Sequence, residues 1–167
     1  MVRTAILSVQ PADVAPHDAQ RLLAAVREAL AAGPFREVDY QTVPDEQAMI
    51  RARLRRWADV GGADLVLTVG GVGVALRHRT PDATLEVVER QFPGIGEAMR
   101  RAGERVDPLA GLWRVLAGSR RSTLIVNLPG EAQSAAAALG AVLPLLAAAA
   151  QTLAAQDLEI GGLGPTD

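Results

Sequence analysis

Three glycines in four residues, Gly70, Gly71 and Gly73, follow the apolar run LVLTV at 65–69. Glycine takes φ > 0 at little cost and lets backbone come close to a ligand, so successive N–H groups in such a turn form a concave donor surface for anions. The next residues suit the same chemistry. Arg77 and Arg79 are two apart, point the same way in extended chain, and match phosphate oxygens bidentately. Thr80-Pro81-Asp82 reads as a helix start, with Thr80 as cap, Pro81 at the first helical position and Asp82 in the first turn, where the dipole favours an acid. Plainer readings stand beside these. The glycines make a strand-to-loop turn with no ligand, the arginines lie on a solvated loop, and Asp82 only serves its helix.

Asp45, just before a helical pattern, has two compatible readings. It is the N-cap of that helix, or a carboxylate for Mg2+, which takes one or two acids plus waters and phosphate oxygens. Asn127 ends the run TLIVN at 123–127. Its amide meets a ligand's ring edge or ties down the turn at Leu128-Pro129-Gly130. Arg51, Arg53, Arg55 and Arg56 read as an exposed helix face.

These residues need positioning elements. Apolar or alternating runs at 4–9, 37–43, 64–69 and 123–127 predict strands. Helical spacing predicts helices over 19–32, from 45 to 60, over 81–91, 94–105 and 109–117, and a long alanine-rich one from 132. The second of these has Met49, Ile50, Leu54 and Trp57 as its inner stripe. Strands alternating with helices predict a largely parallel sheet covered on both faces, a three-layer α/β/α fold. Ligands of such sheets sit beyond the carboxyl ends of the strands. Asp45, the Gly70–Gly73 turn and the turn after Asn127 all fall there. A single domain over 1–156 and a tail over 157–167 complete the plan.

Composition excludes several function classes. The chain of 167 residues holds no cysteine, so it has no disulfide, zinc-thiolate or cysteine nucleophile. It also has no lysine: all 17 basic side chains are arginine, which removes Walker-type phosphate binding and Schiff-base chemistry. A net charge of −2 and 3% aromatics speak against nucleic-acid binding. His17 and His78 are too far apart in sequence to predict a shared metal site. The uncharged stretch 132–156 is mostly alanine and contains Gly140 and Pro144, so it reads as a packing helix and not a membrane span. No secretory leader is visible, and a cytoplasmic location is expected.

VPDEQAMI (43–50), DLVLTVGGVG (64–73), RTPDATLEVVERQFPGIGEAMR (79–100) and TLIVNLPG (123–130) together resemble the molybdopterin adenylyltransferase family, of MogA and MoaB type, in order and in spacing. The resemblance covers roughly 4–146 and implies a molybdopterin-binding α/β fold, usually trimeric. It implies that molybdopterin is the substrate and that ATP and Mg2+ take part: the pterin's phosphate attacks the α-phosphate of ATP, releasing pyrophosphate. It also assigns roles. Gly70, Gly71 and Gly73 would face phosphate; if the chain is an enzyme, Arg77 or Arg79 would offset charge in place of the missing lysine. Asp45 would serve metal and catalysis, helped by Asp82 beside Thr80 and Pro81. Asn127, Pro129 and Gly130 would lie by the pterin.

Departures from the family pattern are specific. His78 stands where the family has an acid, Val72 where it has threonine, and Gly103 and Trp113 where it has serines. Gln10-Pro11-Ala12 replaces an acid-and-arginine element, and Gln133 a frequent lysine. Two functions follow: a divergent adenylyltransferase, or a non-catalytic relative that binds a pterin, a nucleotide or a partner. An open seat at the Gly71–Gly73 amides favours the first. Trp113 or His78 filling that seat favours the second.

Overall fold

The computed structural model describes residues 1–11 and 15–161. Nine residues of hydrophobic alternation and run form β1 (Val2–Gln10), and β2 (Phe35–Pro44) pairs with it in parallel. β3 (Leu65–Val69) lies on the other side of β1, and β6 (Thr123–Leu128) beside β3, both parallel. All residues of β3 and β6 are buried, as continuous apolar strands covered on both faces should be. Two further strands finish the sheet: β5 (Ala117–Arg120) and β4 (Arg90–Gln91), each antiparallel to its neighbour, in the order β2-β1-β3-β6-β5-β4.

One face carries α1 (Pro16–Leu30), α4 (Pro93–Gly103) and α5 (Ala132–Gly161), whose apolar stripes bury Val26, Met99, Leu139 and Leu146 against Ile6, Leu67 and Val126. The opposite face carries α2 (Gln47–Val60) and α3 (Thr80–Val87), with Ile50, Leu54 and Val87 packed on Leu7, Val66 and Ile125. The three-layer arrangement is the one the sequence pattern predicts. α5 is long and apolar enough to cross a membrane by composition, but its stripe from Ala135 to Ala150 packs on this core.

Several local expectations change. Met49 is 45% exposed, so the inner stripe of α2 is Ile50, Leu54, Trp57 and Ala58. Residues 109–117 form no α-helix. A single 3-10 turn, Ala110–Leu112, leads to β5, because the backbone there bonds outward: Arg114 N–H to Val72 O and Asn127 N–H to Leu116 O. β5 is not among the predicted strands because AGSR has no strand signature. Gly118 is there because a side chain would meet Arg90 O at 2.5 Å. The expected tail at 157–167 starts too early: α5 continues to Gly161, and Ser122 Oγ donates to Asp157 Oδ2 at 3.1 Å. Residues 162–167, and Ala12 of the Gln10-Pro11-Ala12 element, lie outside the described residues.

Candidate functional site

The parallel register brings the carboxyl ends of β1, β3 and β6 to one edge: Ser8 opposite Val69, and Val69 opposite Leu128. The backbones meet there too closely for side chains. Gly70 has φ 99°, its N–H donates to Leu128 O at 3.1 Å, and a Cβ on it would meet Val9 O at 2.6 Å. Gly71 has φ 70°, and a Cβ on it would overlap Thr80 Oγ1 and come within 2.9 Å of Asp45 Oδ2. Both glycines are therefore required by geometry. Among the described residues, the N–H groups of Gly71, Val72 and Gly73 donate no hydrogen bond.

Asp45 does not cap α2. The helix begins at Gln47 with Glu46 in the cap position, and no side chain makes a capping hydrogen bond there. Asp45 Oδ1 accepts the Arg79 N–H at 2.9 Å, and Oδ2 lies 3.1 Å from His78 Nδ1. The acid thus joins the end of β2 to the loop before α3. Thr80 is not a cap either. It is the first residue of α3, and its hydroxyl donates to Gly70 O at 2.9 Å while its N–H donates to Gly71 O at 3.2 Å. Its role is to lock the glycine turn.

Asp82 lies in the first turn of α3, and its Oδ2 accepts Arg114 Nη2–H at 3.1 Å. That hydrogen bond holds the Asp82 carboxyl below its usual range, against the opposing push of burial. The same guanidinium donates to His78 O at 2.7 Å and Gly73 O at 3.1 Å. Arg114 is therefore a clamp on the whole 73–82 segment. Nothing in its spacing marks it in the sequence, since its partners are mostly backbone carbonyls far away along the chain.

A cavity of about 380 Å³ opens at this edge, between the glycine turn, the first turns of α1 and α5, and Trp113. Gly70, Gly71, Gly73, Arg77, Pro129 and Gly130 line it, as expected of them; so do Val72 and His78. Ser8, Asp18 and Glu131 join them; the strand-end rule points to Ser8 and Glu131, and nothing in the local sequence points to Asp18. Asp45, Arg79, Thr80 and Asp82 are not in the lining. They sit behind it, and Asp45 meets it through His78 and Gly71. Asn127 is fully buried, away from the cavity. Its amide donates to Thr68 Oγ1 at 2.8 Å and Thr84 Oγ1 at 2.9 Å, tying β6 to β3 and α3. Neither Trp113 nor His78 fills the seat: both form walls of the open space.

Glu131 caps the start of α5. Burial pushes its carboxyl up, but the N–H groups of Gln133 and Ser134 and the Ser134 hydroxyl outweigh that and hold it below the usual range. A larger cavity, about 600 Å³, lies at the opposite pole near the ends of α2 and α5. Its acids mostly have partners: Asp59 Oδ1 accepts Arg120 Nε–H at 2.8 Å, Glu89 Oε1 accepts the Arg121 backbone N–H at 2.8 Å, and Asp157 Oδ2 accepts the Ser122 hydroxyl at 3.1 Å.

Mg2+ held by the chain is a poor fit to these residues. Mg2+ wants near-octahedral oxygen at short range. Each Asp45 oxygen already has a nitrogen contact, imidazole is a poor ligand for it, and Asp82 is tied to Arg114. Among the described residues, no group of three His, Asp or Glu side chains is placed to hold a metal. Asp45 also has a structural role, tying the end of β2 to the loop before α3.

The model of a family described as "Probable molybdopterin binding domain" matches residues 17–148. The chain belongs to that family. Relatives with curated names agree. A Helicobacter pylori protein named molybdopterin adenylyltransferase is 43% identical over 110 residues, 66% of this chain and 62% of that protein. One from Escherichia coli with the same name is 46% identical over 101 residues, 60% of this chain and 51% of that protein. The chain thus spans less than two thirds of the length of either. A crystal structure of the molybdopterin biosynthesis enzyme MoaB from Thermus thermophilus is 44% identical, with TM-score 0.82, covering 93% of this chain and 98% of that one. In this molybdopterin-binding domain the glycine turn and the Pro129-Gly130 turn line the cavity, with His78 and Trp113 among its walls.

Proposed function

We propose that this molybdopterin-binding domain adenylylates molybdopterin in molybdenum cofactor biosynthesis. The observation that carries the reading is the open cavity whose floor is the Gly71–Gly73 turn, with amides that have no partner among the described residues. The names of its relatives point the same way. The pterin's phosphate oxygen attacks the α-phosphorus of ATP. A new P–O bond forms, the bond to the β-phosphate oxygen breaks, and pyrophosphate leaves with the electron pair. Such a transfer needs positioning and charge neutralisation more than covalent help.

The chain's own groups supply both. The 71–73 amides and Arg77 hold phosphate oxygens. Asp45 positions His78 and Arg79, and Asp82 positions Arg114, which clamps the loop carrying them. Mg2+ arrives on the ATP phosphates as part of the substrate, and no protein step runs through it. The enzyme acts in the cytoplasm as a homotrimer, and sedimentation of the purified chain tests the trimer.

The reaction is tested by incubating the full chain with molybdopterin, ATP and Mg2+. Pyrophosphate and adenylylated pterin should accumulate together, and Gly71→Ala should abolish both. The contact of His78 with Asp45 favours a second reading, a relative that binds without turnover. Saturable pterin binding with no pyrophosphate above background would establish that reading in place of the first.

A further inference from the structure

We propose that Trp113 is the ring-stacking wall of the cavity, taking the planar heteroaromatic end of a ligand whose phosphate sits at Gly71–Gly73. This rests on reading the cavity as a site for a ring-bearing phosphate, and not on turnover.

Three observations place it. Apart from His78, Trp113 is the one aromatic residue lining the cavity among the described residues, in a chain with only two tryptophans. Its half-exposed ring is held at both ends: Nε1–H donates to Asp107 Oδ2 at 3.1 Å, and the far edge, Cη2 and Cζ3, occupies the space a side chain on Gly103 would take. Its backbone is tied to the phosphate seat. Arg114 N–H, one residue on, donates to Val72 O at 2.8 Å, and Arg100 Nη1–H donates to Trp113 O at 3.3 Å.

An indole whose polar tip is satisfied and whose edge is seated offers a rigid π-face. A ligand ring then stacks without first ordering the wall. The other tryptophan, Trp57, is packed into the opposite core and bonded to Asp39, so it is no competitor. A cavity near 380 Å³ is within the size class of organic-ligand sites, roughly 300–1,000 Å³. Adenine and pterin share the flat heteroaromatic chemistry, so either ring meets this wall, and the test separates them.

The full chain is labelled with 5-fluorotryptophan, giving two fluorine resonances that the Trp113→Phe spectrum assigns. It is titrated with AMP, with neopterin monophosphate, and with ring-free inorganic pyrophosphate. The Trp113 resonance should shift with at least one of the two ring ligands, and whichever shifts it names the source. Trp113→Ala should weaken that ligand roughly 5- to 150-fold while Trp113→Phe retains most of the affinity. Pyrophosphate affinity should change less than about twofold between the variants. Ring binding unchanged in Trp113→Ala, or an equal loss for pyrophosphate, overturns the proposal. The adenylylation assay stands apart: a chain without turnover that still shows the ring-dependent loss keeps this wall and loses the reaction. A turning-over Trp113→Ala with normal KM does the reverse.

Discussion

Asp45 Oδ2 and His78 Nδ1 lie 3.1 Å apart, with the acid's side chain 8% and the imidazole 17% exposed. The acid's other oxygen accepts the Arg79 N–H. The two contacts turn a carboxylate beside a phosphate seat into a strut for the loop that lines it. A metal on Asp45 would have to share each oxygen with one of these contacts. The ligand-free chain should therefore show no saturable Mn2+ binding by calorimetry. His78→Asp, which puts a second carboxylate where the imidazole stands, should create such binding. Saturable Mn2+ binding in the unaltered chain that disappears in Asp45→Asn would show the strut reading to be wrong.

The glycine turn gives the sharpest single-residue expectation. In Gly71→Ala the new methyl meets Thr80 Oγ1 and Asp45 Oδ2 at a residue with φ 70°. Thr80 is fully buried and bonded to Gly70 O, so it has nowhere to go. The strained backbone alone costs about 1–3 kcal/mol, and the overlap adds to it. Urea unfolding should show a loss of at least about 2 kcal/mol, with adenylylation gone even where the variant stays folded. A variant as stable and active as the parent would mean the turn is not built as described.

How much of this was legible beforehand depended on how local the cause was. β3 and β6 were readable because strands buried on both faces are apolar throughout. Gly70 and Gly71 were readable because positive φ leaves a compositional mark. Asp45 looked like a cap because local rules favour an acid before a helix, yet its partners lie 33 and 34 residues on. Arg114 left no mark at all: it acts on the backbone carbonyls of residues 73 and 78, which any sequence would present. Asn127 stood open between two roles, and only the placement of Thr68 and Thr84 puts its amide in the core.

The Arg114 clamp carries a pH dependence. Its bond to Asp82 holds that carboxyl below the usual range. A folded value below the unfolded one, near about 4, means the pair's stabilisation is fully present above that value and fades as pH falls through the folded one. Both side chains are about a third exposed, 36% and 35%, so the effect is modest, about 1 kcal/mol or less. The stability difference between the parent and Asp82→Asn should be constant from pH 8 to about 5 and shrink below about 4. Hydrogen exchange of the 73–79 amides should quicken in Arg114→Met, which loses the carbonyl contacts as well. A difference that grows on acidification would contradict the clamp.

Asn127 separates a structural role from a ligand role. Asn127→Ala removes two buried hydrogen bonds, to Thr68 and Thr84. It also removes Oδ1, a buried acceptor with no partner among the described residues, so part of the loss is offset. The expected destabilisation is about 1–2 kcal/mol. The KM for molybdopterin should change little, since the residue lies outside the cavity. A large rise in KM at unchanged stability would put the amide back at the pterin.

Gly103 and Trp113 are one unit, and altering the smaller should move the larger. A methyl on Gly103 overlaps the indole edge and comes within 2.9 Å of Ala110 Cβ. Gly103 ends α4 in buried surroundings, so the helix has little room to shift. The free side of the ring is the cavity. In Gly103→Ala the indole should swing that way, lengthen its bond to Asp107 and shrink the space it borders. Helix propensity favours alanine over glycine by about 1 kcal/mol, which offsets part of the overpacking cost of about 1–3 kcal/mol. Stability should therefore fall only slightly while affinity for ring-bearing phosphates drops at least tenfold. A crystal structure of the variant with the indole unmoved, or unchanged affinity, would show that Gly103 makes no room for the wall.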